Sequence, residues 1–206
     1  MTHSSIHIGY HGCDRATGER VLAGETELRV STNDYDWLGD GIYFWEYDPE
    51  RALNWALDGA SHRKTGHKHI SEPFVIGAVI QMGNCLDLMQ AESIRLVKDA
   101  HTNLKDLYEV FDLKLPENRM VKGELALRKL DCAVIQSLHQ ERKDSGLPAF
   151  DTVRAAFPEG TPLYQNAGFL ERTHIQICVR NPTCILGYFR VRSLLGMSAF
   201  ASPHRG

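Results

Sequence analysis

Residues 169–191 read FLERTHIQICVRNPTCILGYFRV. Two β-branched and aromatic runs, Phe169 to Val179 and Cys184 to Val191, flank Arg180-Asn181-Pro182-Thr183, a set of turn formers. Two strands therefore arrive back to back, with no room for a helix between them. Moving toward the N-terminus, residues 140–168 are rich in turn formers and read as a long loop with short extended pieces. Cys132 to Leu138 reads as a strand, Leu125 to Leu130 as helix, and residues 88–110 as a loosely periodic helix. Phe74 to Met82 is an apolar run of strand length. The first third holds a strand from Ile6 to Tyr10 and a short helix from Ala16 to Leu22 closed by Gly24. An extended piece from Leu28 to Ser31 and a strand from Gly41 to Trp45 follow. Asp48 then caps a helix with Pro49 at its first position. Helices lie between the early strands and the late strands cluster, which favours α+β over a doubly wound parallel sheet.

The 206 residues suit one core, and 43% hydrophobic with 24% charged residues is ordinary globular composition. We expect a single domain over 1–193 and a fraying tail over 194–206. A formal net charge of −3 excludes a generic polyanion binder. No run of 18 apolar residues predicts a membrane span, and MTHSSIHIGYHGCD lacks a secretory signal. The five cysteines, Cys13, Cys85, Cys132, Cys178 and Cys184, form no CxxC pair and read as reduced thiols of a cytoplasmic protein. His62, His67 and His69 sit among Arg63, Lys64 and Lys68, so a basic surface loop is expected there rather than a metal site.

Three places carry candidate chemistry. Tyr10-His11-Gly12 ends a strand with a histidine, and its glycine lets a ligand approach the backbone. Gly39-Asp40-Gly41-Ile42-Tyr43-Phe44 sets an aromatic on each face of a strand, one ring for the core and one for a flat heterocycle. Strand alternation along THIQICVR, 173–180, puts His174, Gln176, Cys178 and Arg180 on one face. That face is either solvated or lines a pocket. Taken singly, each place also reads as ordinary structure. Arg154 fits a surface ion pair, and Cys13 fits a buried structural thiol.

Together, His11-Gly12, GDGIYF at 39–44 and Gln176 on a late strand resemble the PARP-like ADP-ribosyltransferase family, in order and rough spacing. NDYDWLGDGIYFWE and THIQICVRNP look closest to a bacterial branch of it. The resemblance implies a split β-sheet core with flanking helices and an NAD⁺-binding cleft. It implies that His11 bonds the adenosine ribose, that the Gly12 backbone holds the nicotinamide amide, and that Tyr43 stacks on the nicotinamide. Trp55 becomes a second aromatic wall, while Ser31, Asn33, Gly41 and Phe44 border the groove. His11, Tyr43 and Gln176 take the catalytic positions.

Cleaving the ribose–nicotinamide bond develops oxocarbenium character, and nicotinamide leaves as a neutral ring. Where the family commonly has Glu, this chain has Gln176, which can hydrogen-bond a ribose hydroxyl but supplies no charge. Gln176, Glu46 and Glu171 all stay open for that third role. The resemblance thus implies mono-ADP-ribosylation of a macromolecular acceptor, protein or nucleic acid, with NAD⁺ as co-substrate. An NAD⁺ glycohydrolase and a non-catalytic NAD⁺- or ADP-ribose-binding module are the competing readings. Small size suits a toxin held by a neutralising antitoxin protein.

Overall fold

The structure, a computed structural model, describes residues 5–61, 70–121 and 124–192. The basic histidine stretch at 62–69 and the tail from residue 193 lie outside the described residues. The order is β1 (Ile6–Asp14), α1 (Arg15–Leu22), β2 (Ile42–Glu46), α2 (Pro49–Ser61), β3 (Pro73–Gln81), β4 (Cys85–Asp87), α3 (Ala91–Val110), β5 (Asn118–Val121), β6 (Glu124–Arg128), α4 (Lys129–Asp144), β7 (Thr152–Phe157), β8 (His174–Val179) and β9 (Ile185–Arg190). The class is α+β. Among the described residues, four helices flank a seven-stranded sheet ordered β4-β7-β8-β2-β1-β3-β9, and β5–β6 forms a separate hairpin. Of the strand pairs described, only β4–β7 is parallel.

Local chemistry fixes the ends of the early elements. Asp14 caps α1 by accepting from Ala16 N at 3.0 Å, and Gly24 follows the helix at φ +73. Asp48 accepts from Arg51 N at 2.9 Å at the start of α2. The C-terminal half of the chain corrects several expectations. Leu125 to Leu130 was expected as helix, but most of it belongs to strand β6 of the hairpin. Cys132 to Leu138 was expected as a strand, but it lies inside helix α4. Cys132, Ile135 and Leu138 recur every three residues and are all buried, which is a helical stripe that the β-branched content masks. The expected loop at 140–168 contains the end of α4 and all of β7. Leu28 to Ser31 contributes one bridge, Ser31 to Gly41, and no strand.

β8 and β9 are strands, but they do not pair with each other. β8 lies between β7 and β2, and β9 lies beyond β3. In a flat sheet they would stand four spacings of about 4.8 Å apart, roughly 19 Å. Five residues join them, and Pro182–Cys184 form a 3-10 turn, which rises only about 2 Å per residue. That link falls short of a flat separation, so the sheet curls. The curl wraps one core: Ile76, Ala78 and Ile80 of β3 share it with Ile42 and Phe44 of β2 and Ile177 and Val179 of β8. Asp151 fastens the link. Its backbone carbonyl accepts from Arg180 N and Asn181 N, and its carboxylate accepts from Asn84 N and Asn181 Nδ2, both at 2.8 Å. On the outer face, Leu104 of α3 and Ile135 and Leu138 of α4 cover Leu86, Val153 and Cys178. Ala52 of α2 covers Trp45 and Val75.

Candidate functional site

β1 pairs with β3 over nine residues but with β2 only at Gly9↔Glu46 and Tyr10↔Trp45. The bonds Arg15 N→Glu72 O and Met82 N→Ser5 O turn the odd-numbered residues of β1 toward β3, while Tyr47 N→Ile8 O turns the even-numbered ones toward β2. Gly12 therefore aims its N–H and C=O at β2, past the point where the pairing stops. The Tyr43 carbonyl, which a continued ladder would place opposite Gly12, accepts instead from the His11 ring, with Nδ1 at 2.8 Å. A carbonyl only accepts, so Nδ1 carries the proton and Nε2 remains an acceptor. Burial lowers the His11 pKa, which keeps the imidazole neutral at pH 7. A Cβ on Gly12 would stand 2.2 Å from Ala52 O of α2, so no other side chain fits there unless the helix shifts.

The rings of His11 and Tyr43 lie on different faces of β2. His11 sits beside Phe44, with ring centroids 5.7 Å apart, and Phe44 is fully buried in the inner core. Tyr43 is half-buried and packs toward the outer core. Its hydroxyl accepts from Leu38 N at 3.0 Å and donates to Gly39 O at 2.8 Å. Burial raises its pKa far above the usual tyrosine value, so the phenol stays protonated. The structure thus joins His11 to Tyr43 through the backbone and not ring to ring. Gly41 is pinned against Cys178 and Val179, and it exchanges two backbone bonds with Ser31. Asn33 Nδ2 donates to Ser31 Oγ at 2.8 Å on the same loop. Trp55 is 48% exposed on α2, 5.9 Å from the Trp45 ring.

Gln176 lies opposite Trp45 in the β2–β8 register, so its half-buried side chain is on the Tyr43 face. Trp37 Nε1 donates to its Oε1 at 3.0 Å, and its Nε2 lies 3.2 Å from His174 Nε2. Around this amide stand Phe157, stacked on His174 at 5.3 Å, Arg128 over both Trp37 and Phe157, and the Arg51–Glu159 ion pair at 3.0 Å. Two buried donors beside them, Trp45 Nε1 and Arg51 Nε, have no partner among the described residues.

The two acids left open for the third role lie elsewhere. Glu46 follows Trp45, so alternation turns it to the opposite face from Gln176. Its carboxylate is taken by His7 and by Arg154, the latter at 2.8 and 2.9 Å. Arg154 also meets Asp87 of β4 at 3.2 Å, which makes it a half-buried residue of β7 paired across strands rather than a loop residue at the surface. Glu171 is exposed on the loop before β8. Cys13 is a buried thiol, pushed up to about 11 by burial and by Asp14.

Sequence reading placed His174 on the Gln176 face but gave it no partner, and it passed over Trp37, Arg51 and Arg128. Trp37 meets Gln176 from 139 residues away, and no local periodicity signals that.

No family model matches the chain, and no solved structure matches it. The uncharacterized protein MJ0359 of Methanocaldococcus jannaschii is 27% identical over 194 residues, covering 85% of this chain and 83% of that protein.

Proposed function

We propose that the chain is a mono-ADP-ribosyltransferase with an ADP-ribosyltransferase-like split sheet, binding NAD⁺ where β1 and β2 part. One observation carries the reading: the pairing ends after Tyr10↔Trp45, and the Gly12 backbone points past that end beside a neutral His11. An N–H and a C=O aimed the same way match the carboxamide of nicotinamide, which offers one acceptor and one donor. His11 Nε2 accepts from a ribose hydroxyl. On the outer face of β2, opposite the His11 ring, Tyr43 and the exposed Trp55 supply aromatic surface for the nicotinamide ring. Gln176, held by its amide, hydrogen-bonds the nicotinamide ribose as positive charge develops at the anomeric carbon.

The bond from that carbon to the nicotinamide nitrogen breaks with its electron pair going to the ring. The positive pyridinium thereby leaves as neutral nicotinamide. The acceptor's nucleophile forms its bond to that carbon from the opposite face and gives up its proton to solvent. A protein or nucleic-acid acceptor, and a toxin role with a neutralising partner, belong to the same reading.

The test is incubation with labelled NAD⁺, alone and with a cell lysate, followed by nicotinamide release and separate protease and nuclease digestion. Label on a macromolecule supports transfer. Free ADP-ribose without any acceptor would identify a glycohydrolase, and binding without nicotinamide release a non-catalytic module.

A further inference from the structure

We propose that His174 is the positioning residue for Gln176: its imidazole and the Trp37 indole lock the amide in one orientation, and protonating His174 unlocks it, making the site acid-sensitive. The hydrogen bonds admit one assignment. His174 Nδ1 lies 2.7 Å from Arg172 O, which can only accept, so the proton of the neutral ring is on Nδ1. Nε2 is then an acceptor, and the Gln176 nitrogen 3.2 Å away donates to it. At the other end, Trp37 Nε1 can only donate, so the oxygen of Gln176 receives it at 3.0 Å. A flipped amide would set N–H against N–H at Trp37 and oxygen against a lone pair at His174. The locked amide keeps one N–H and one oxygen lone pair for a ligand.

Imidazolium carries protons on both nitrogens, so it cannot accept from Gln176. Turning the amide to suit it costs the Trp37 bond, and no orientation satisfies both neighbours. The groups facing His174 decide when this happens. Phe157 of β7 stacks on it with the planes 6° apart, and the Trp45 ring of β2 lies 6.4 Å away. Glu159 and Asp48 favour the charged ring, and Arg51 opposes it. Burial outweighs these and lowers the His174 pKa. The deprotonated ring is the locking form, so activity is full near neutrality and falls as pH drops below the ordinary histidine range.

The catalytic consequence rests on the transferase reading; the locked amide does not. Two variants separate acceptor from scaffold. His174→Gln keeps an acceptor oxygen but cannot titrate, and His174→Phe keeps a ring on Phe157 but accepts nothing. We expect kcat for nicotinamide release to fall by up to about 100-fold in H174F, with a smaller change in KM. H174Q should keep most of kcat and show a weaker acid limb than the wild type, because only the protonation of His11 remains. Wild-type kcat in H174F, or an acid limb in H174Q identical to that of the wild type, would overturn the proposal. A second readout needs no turnover. The ¹⁵N–¹H resonance of the Trp37 indole should move with pH in the wild type and stay flat in H174Q. A flat wild-type signal overturns the positioning role. A moving signal in a protein that never releases nicotinamide upholds it and removes the transferase reading instead.

Discussion

The two edges of β1 have opposite fates. Toward β3 it is paired over nine residues and Arg15 N adds a further bond, while toward β2 the ladder ends after two pairs. The same strand is thus closed along its whole length on one side and unpaired beyond Tyr10 on the other. The closed edge holds the fold, and the other leaves the Gly12 N–H and C=O without a β2 partner. An unpaired buried backbone group loses a bond's worth of stability, of order 1 kcal/mol, unless solvent or a ligand meets it.

Each edge can be attacked separately. Gly12→Ala should have the largest effect, because the new Cβ would meet the Ala52 carbonyl. Forcing α2 outward should lower stability by roughly 1–3 kcal/mol and abolish nicotinamide release. Its counterpart on the closed edge is Gly77→Ala, where the Cβ would strike the Phe189 ring. Chemical denaturation should show a loss of about the same size, with turnover per folded molecule unchanged. Equal loss of turnover in both would erase the distinction between the edges.

Next in size, His11→Ala should cut nicotinamide release by about 100-fold, while costing only about 1 kcal/mol from the lost bond to Tyr43 O. Wild-type rates in that variant would remove the open edge from the chemistry. A smaller, pH-dependent effect belongs to the outer core. Burial, aided by Arg180 and Arg142, lowers His139 to about 4. The unfolded chain takes up this proton first, so stability is full above about 6.5 and falls as pH drops toward 4. His139→Gln should flatten that part of the melting-temperature profile, and an unchanged slope would assign it to other groups. The smallest effect expected is for Tyr43→Phe, which loses both hydroxyl bonds to the 38–39 loop but keeps the ring. Stability should fall by about 1 kcal/mol with turnover largely kept. A collapse of turnover would mean that the hydroxyl acts on the ligand.

The contrast between edges also tracks what the sequence reveals. β2, the cap at Asp48 and α2 were legible because their signals are local: alternation, a capping carboxylate and a proline at the first helical turn. The swap of helix and strand over 125–138 came from an apolar run dense enough to fit either period. The 180–183 turn was read correctly as a break, but no turn states which neighbours its strands will choose. That choice depends on the edge of β3, a hundred residues upstream. At the candidate site, His11, Gly12 and Gln176 were legible as types. The end of the β1–β2 ladder, and the Trp37 indole on Gln176, are products of long-range packing and leave no trace in local composition.

The five residues between β8 and β9 bear on where the β1–β2 ladder stops. They act as a tether whose length sets how tightly the two halves of the sheet bend toward each other. A longer tether would let the sheet relax toward flatness, and the strand pairing would then be free to zip onward from Tyr10↔Trp45 to Gly12↔Tyr43. Lengthening that segment should therefore move the end of the β1–β2 ladder without touching a residue of either strand.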